Sequence, residues 1–234
     1  MTLMPLWKSA PTMLLLVLVV TTTACGGPEN LPPDKVIEKA AAAMRSTPSF
    51  HFSLETSKLQ KALPGLFISG GEGDVVKPDK LSAEVQAAFG GIPLNSKVVV
   101  DGKQQYMTDP VTGKWTTMAA AVNIMQFFDP AKGISDILAG VKDLKSDGTE
   151  SINGTDTYRL NATAPATALK SLSSEVTATG DLTTTLWVGA SDFLLRRVRI
   201  NGPLMSSEPD NIVRTISFSD YGKEFKVETP VVGK

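Results

Sequence analysis

One cysteine and one histidine hold nearly all the nucleophilic and metal-binding chemistry that this 234-residue chain could offer. Cys25 is the sole cysteine, so an intramolecular disulfide is impossible. It follows Lys8, an apolar run from Met13 to Val20, and Thr21-Thr22-Thr23-Ala24; Gly26-Gly27 comes next. A positive start, a short apolar stretch and a small residue before the cut are the parts of an export signal. A cysteine directly after Thr-Ala at that point is the pattern of a bacterial lipobox, although leucine would be a stronger choice than Thr22. The expected chemistry is acylation of the Cys25 thiol and cleavage after Ala24, which makes Cys25 the new N-terminus. The alternative is an uncleaved spanning helix with an incidental cysteine. Such a helix needs about 20 apolar residues, and this run is shorter.

His51 alternates with Phe50 and Phe52. That spacing puts it on the polar face of a strand, as a solvated side chain. One histidine and one lipidated cysteine cannot build a Cys-His nucleophile pair or a His/Cys metal cage. No Gly-x-Ser-x-Gly elbow occurs, and no Gly-rich phosphate loop followed by Lys-Ser/Thr. Gly70-Gly71-Glu72-Gly73 precedes no helical pattern and reads as a turn. Asp and Glu fall mostly in turns and on polar strand faces, a poor basis for the paired carboxylates of a glycosidase. An enzyme is therefore not expected, and no cofactor or metal is required. The 23 basic and 24 acidic residues nearly cancel, with no basic stripe. That argues against nucleic acid as a partner.

The elements that must position any site alternate between two periods. Residues 1–24 read as the signal peptide, and 25–33 as the lipidated cysteine with a Gly/Pro linker. Residues 34–234 read as one domain. Asp34 is the expected N-cap of a helix ending near Ser46, with Val36, Ile37, Ala40, Ala41 and Met44 on its apolar face. Period-2 runs follow: Phe50 to Leu54, Leu66 to Gly70, Leu81 to Phe89, Leu94 to Val100, and Gln105 to Met107. Asp101-Gly102 and Asn153-Gly154 are hairpin turns. The middle is helical, from Ala119 to Phe128 and again from Ile134 to Leu144. Strands return around Glu150–Ile152, Thr157–Ala162, Leu182–Val188, Phe193–Ile200 and Ile212–Phe218. A small helix is expected between Ala164 and Leu172, and a last strand ends at Pro230. The count is roughly ten antiparallel strands and three or four helices.

What remains is apolar. With 42% hydrophobic residues the chain can bury a sizeable core. The series Leu81-Ala83-Val85-Ala87-Phe89 mixes small with large side chains on one strand face. Small residues on facing layers leave space where large ones would fill it. Two readings stay open on these residues alone: an ordinary filled α+β core, or a core with a ligand cavity.

Several segments, in order, resemble the mycobacterial LppX/LprG/LprA/LprF-type lipoproteins. They are Ala24-Cys25; Ser49-Phe50-His51-Phe52; Phe89-Gly90-Gly91; Val99-Val100-Asp101-Gly102; Trp115; Phe128-Asp129-Pro130; Gly133 with Ile137-Leu138; Gly148 with Ile152-Asn153-Gly154-Thr155; Tyr158-Arg159-Leu160; Trp187-Val188; and Ser219-Asp220-Tyr221-Gly222-Lys223. The resemblance implies a single domain in which a strongly bent antiparallel half-barrel carries helices on its concave face. It implies an apolar cavity between the two layers that takes the acyl chains of lipids or glycolipids, such as phosphatidylinositol mannoside, lipoarabinomannan or triacylglycerol. Val85 falls where that family lines its cavity. The side chains expected to line it here are Leu81, Ala83, Val85, Ala87, Phe89, Val98 and Val100 from strands, with Ile124, Phe128, Ile137, Leu138 and Val141 from helices. The expected molecule is a monomer, lipid-anchored to the cell membrane on its extracytoplasmic side, with an envelope transporter as a further partner. A filled core would instead suit a structural or interaction lipoprotein that docks a transporter or other envelope protein. Leu54–Gly73 and Pro203–Asn211 match poorly, so entrance and headgroup contacts do not carry over.

Overall fold

The computed structural model describes residues 30–57, 66–118, 125, 133–167, 176–177 and 179–232. Among them, thirteen elements follow one another: α1 (Pro33–Ser46), β1 (Ser49–Ser57), β2 (Leu66–Val76), β3 (Lys80–Phe89), β4 (Ile92–Asp101), β5 (Gln104–Thr108), β6 (Trp115–Thr117), α2 (Ile134–Gly140), β7 (Lys142–Ile152), β8 (Thr155–Pro165), β9 (Asp181–Gly189), β10 (Leu195–Asn201) and β11 (Val213–Ser219). The strands form a single sheet in the order β6-β5-β4-β3-β2-β1-β11-β10-β9-β8-β7. Two meanders therefore meet where β1 pairs antiparallel with β11. The outermost strands β6 and β7 do not pair with each other, so the half-barrel stays open.

Short connections enforce this path. Gly102 (φ +63°) turns β4 into β5, and Asn153 (φ +49°) with Gly154 (φ +79°) turns β7 into β8. Left-handed φ at both central positions is what a two-residue hairpin turn needs. The alternation predicts the sheet well. The ends of several elements differ.

Asp34 is not the N-cap of α1: Pro32 holds that position and Pro33 opens the helix. Proline fits the first turn because that turn's N–H has no helical partner anyway. Asp34 instead places its charge in the positive first turn. Helix α2 stops at Gly140, and Val141 to Leu144 leave the predicted helix as β7 starts at Lys142. Their spacing fits a helix, but Lys142 pairs with Thr163 and Lys145 with Asn161 on β8. Long-range pairing overrides the local period here. Pro165 ends β8 rather than opening a helix, and only Ala166 and Thr167 turn helical before the described segment ends. The expected last strand is absent: residues 223–232 form no strand. They are held at one end by Ser49 Oγ, which donates to the Lys223 carbonyl (2.7 Å), and at the other by Thr229, which donates to Asp101.

The core lies between α1 and one face of the sheet. Val36, Ile37, Ala40, Ala41 and Met44 of α1 are all buried, as the spacing requires. They join Phe50, Val75, Leu81, Val98, Val100, Leu138, Leu160, Leu186 and Val188 in one cluster. Phe50 packs edge-on to Phe218 at 5.8 Å and against Tyr221 at 6.1 Å. The Tyr221 hydroxyl donates to the Leu195 carbonyl, and burial pushes its pKa up.

Lys77 closes the C-terminal end of α1. Its ammonium donates to the Met44 carbonyl and lies 5.7 Å from the Phe50 ring centroid. Burial pushes its pKa down to about 8 from 10.5. Between those values the unfolded chain binds more protons than the folded one, so folding stability rises with pH. The denaturant midpoint should therefore climb from pH 8 to pH 10, and Lys77→Met should flatten that climb. An equal climb in the variant would show that Lys77 is not the group responsible.

Candidate functional site on the inner face of the sheet

Strand register sorts the side chains of β2–β4 into rows on the helix-covered face. Leu81 pairs with Val75 and Val100, Ala83 with Gly73 and Val98, and Val85 with Gly71 and Ser96. Further along, Ala87 faces Leu94 and Phe89 faces Ile92 across the β3–β4 turn. Burial falls steadily along these rows. Val75, Leu81 and Val100 are fully buried, Ala83 and Val98 nearly so, and Val85, Ser96, Ala87 and Leu94 are half-buried. Phe89 is 58% exposed and Ile92 65% exposed at the rim. The inner face is thus apolar beyond the part that α1 covers.

The middle rows are built from small groups. A Cβ on Gly73 would lie 2.5 Å from the Ser82 carbonyl oxygen and 2.6 Å from the Ala83 Cβ. One on Gly71 would lie 2.7 Å from the Glu84 carbonyl oxygen. Glycine inside a strand permits this close approach of neighbouring backbone. Gly70, Gly71 and Gly73 are therefore not the expected turn: they lie inside β2, beside a bulge between Ile68 and Gly70. The sequence signal is the same for both, since glycine answers a tight turn and a tight strand contact alike.

The other expected lining residues separate into two groups. Leu138 on α2 is buried in the main cluster, and Val141 packs half-buried against it. Ile137 turns to a smaller cluster with Ala166, Val176 and Leu182. Ile124 and Phe128 lie outside the described residues, as does Cys25.

His51 does sit on the opposite, outer face, but not as a free solvated group. Its Nδ1 donates to Asp74 Oδ1 at 2.7 Å. A groove of about 640 Å³ opens beside it, floored by Ser53, Ser217 and Ser219 and walled by Arg196 and Arg197. The sequence reading missed this groove, because its residues come from strands far apart in the chain. Among the described residues no group of three His, Cys, Asp or Glu side chains could hold a metal ion, and no helix is long and apolar enough to cross a membrane.

The chain resembles known proteins over most of its length. The chain is 27% identical over 201 residues to the lipoarabinomannan carrier protein LprG of Mycolicibacterium smegmatis, covering 83% of this chain and 81% of that one. It is 26% identical over 204 residues to lipoprotein LprA of Mycobacterium tuberculosis, covering 84% and 80%. The crystal structure of LprF from Mycobacterium bovis superposes with a TM-score of 0.69 at 19% identity, over 88% of this chain and 99% of that one. LppX from Mycobacterium tuberculosis gives 0.60 at 20% identity, over 83% and 97%. Both share the fold. The LppX_LprAFG lipoprotein family model matches residues 32–227, and the chain belongs to that family.

Proposed function

We propose that this lipoprotein takes the acyl chains of lipids or glycolipids against the inner face of its sheet and carries or presents them at the cell envelope. The supporting observation is the gradient along β3 and β4. Apolar side chains continue past the helix-covered core to half-buried Val85, Ala87 and Leu94 and exposed Phe89. An acyl chain laid along that face would remove this surface from water. The relatives named as lipoarabinomannan carriers support the same class of cargo.

The energetics explain the need for such a protein. Burying one methylene is worth about 0.8 kcal/mol. A sixteen-carbon chain then holds roughly 12 kcal/mol against entry into water. A free multi-acyl lipid does not cross an aqueous wall unaided. A carrier offers an equivalent apolar surface and leaves the headgroup wet. Transfer by mass action breaks no bond, so the reading is a binding protein rather than an enzyme. Leu81, Ala83, Val85, Ala87, Phe89, Val98 and Val100 form the strand side of the proposed site. Among the described residues, Leu138 and Val141 stand on the other side.

The same reading assigns residues 1–24 to a cleaved signal peptide and Cys25 to the lipid anchor, with residues 34–234 as the binding domain outside the membrane. Cys25→Ser should move the protein from the membrane pellet to the soluble fraction and abolish labelling by radioactive palmitate. Retention of label would place the acyl group elsewhere. For the site itself, an apolar fluorescent dye should give a saturable signal that diacylglycerol displaces. A core filled by side chains would give none.

A further inference from the structure

The outer face of the sheet carries a second feature that lipid-chain binding does not use. Arg159 on β8, Trp187 on β9 and Arg197 on β10 stand in one cross-strand row. Arg199 lies two residues further along β10 on the same face. The Trp187 ring has all three guanidinium groups over it, at 5.7 Å for Arg159, 5.7 Å for Arg197 and 5.5 Å for Arg199. Trp187 is 2% exposed, and its indole N–H donates to Glu150 Oε2 at 2.8 Å, which fixes the plane of the ring. Stacking on a fixed indole holds the arginine side chains in place before any ligand arrives.

Most charges around them are paired; on the same face Glu55, two strands from Arg199, and Glu72, three strands from Arg197, make no ion pair among the described residues. Arg159 pairs with Asp147 and Glu150. In the adjoining groove Arg196 pairs with Asp192, Lys223 with Asp220, and His51 with Asp74. Arg197 and Arg199 have no carboxylate partner among the described residues, and the Arg197 Nε is buried without a hydrogen-bond partner. Arg197 opens onto the groove, where the hydroxyls of Ser53, Ser217 and Ser219 supply further donors. Thr215 pairs with Arg199 across β10 and β11.

We propose that Arg197, which lines this outer groove, and Arg199, two residues along β10 beyond the groove lining, form an oxyanion site that binds a phosphate or phosphodiester group. Two planar guanidinium forks plus hydroxyl donors offer more hydrogen bonds than a two-oxygen carboxylate can accept, whereas a phosphate accepts them bidentately. The groove volume lies inside the ~300–1,000 Å³ range of small-ligand sites. The anion could be free or be the headgroup of a lipid at the membrane surface.

Calorimetry on the full lipidated chain in a non-ionic detergent tests this, with inorganic phosphate, glycerol 1-phosphate, acetate and short-chain phosphatidylinositol as probes. Saturable binding of phosphate or glycerol 1-phosphate is expected, at least tenfold tighter than acetate. Arg197→Gln/Arg199→Gln should weaken it tenfold or more, while Lys97→Gln on the exposed face of β4 leaves it unchanged. Arg197→Lys keeps the charge and loses the fork, so it should fall between; it also controls for damage to the Trp187 packing. Binding of phosphatidylinositol tenfold tighter than of inorganic phosphate, with that excess lost in Arg197→Gln/Arg199→Gln, assigns the site to a headgroup; equal binding, or an excess that the double variant keeps, assigns it to the free anion. No saturable binding of any phosphate probe, acetate bound as tightly, or full binding by the double variant overturns the proposal. None of these outcomes depends on acyl chains occupying the other face.

Discussion

Val85→Trp should leave the domain folded and cut the lipid recovered with it by at least tenfold. Val85 is half-buried at the middle of the inner face, where Gly71 and Ser96 are its register partners. Neither neighbour offers bulk, so an indole there would extend over space that an acyl chain needs. Because Val85 packs only at the margin of the main cluster, the cost to stability should stay within the ~1–3 kcal/mol of an overpacked site. The check is the molar ratio of extracted lipid to protein, beside a thermal unfolding curve. Normal loading in a folded variant would move the cargo away from β3.

Glu208→Gln should be strongly destabilising. The Glu208 side chain has no exposed surface, and it pairs with Arg214, whose side chain is 11% exposed. Its second oxygen accepts the backbone N–H groups of Leu204 at 2.7 Å and Met205 at 3.2 Å. Burial pushes the Arg214 pKa down, and the adjacent carboxylate opposes that shift. Removing the carboxylate leaves a guanidinium buried without its counter-charge. Breaking such a pair costs about 3–5 kcal/mol, whereas replacing both partners with apolar groups costs much less. Glu208→Gln/Arg214→Met, which removes both charges and keeps an amide oxygen for the Leu204 and Met205 N–H groups, should therefore recover most of the loss in urea denaturation. A loss under about 1 kcal/mol for Glu208→Gln would mean that water reaches Arg214.

These two sites show where the sequence is and is not legible. Strand alternation from Leu81 to Phe89 and helical spacing from Val36 to Met44 read directly, because each follows one period and meets one buried face. Motif order from Cys25 to Lys223 carries the family. Boundaries fail where two signals compete. Ile134 to Leu144 has helical spacing, yet pairing with β8 claims its second half. The glycines at 70, 71 and 73 match a turn and a crowded strand equally well, and only the distance to β3 decides between them. The Glu208–Arg214 pair and the Arg197–Trp187 stack have no local signature at all. Their partners lie only six and ten residues apart, yet no period marks them: the first pair is set by the loop leading into β11 and the second by the β9–β10 register.

The central claim is that acyl chains occupy the inner face of the sheet. Native mass spectrometry of the chain starting at Gly26, expressed in a mycobacterial host, tests it most directly. The account predicts added mass that dissociates as acylated lipid from wild type and is depleted in Val85→Trp. A spectrum holding only the bare polypeptide mass, from protein made in that host, would contradict it.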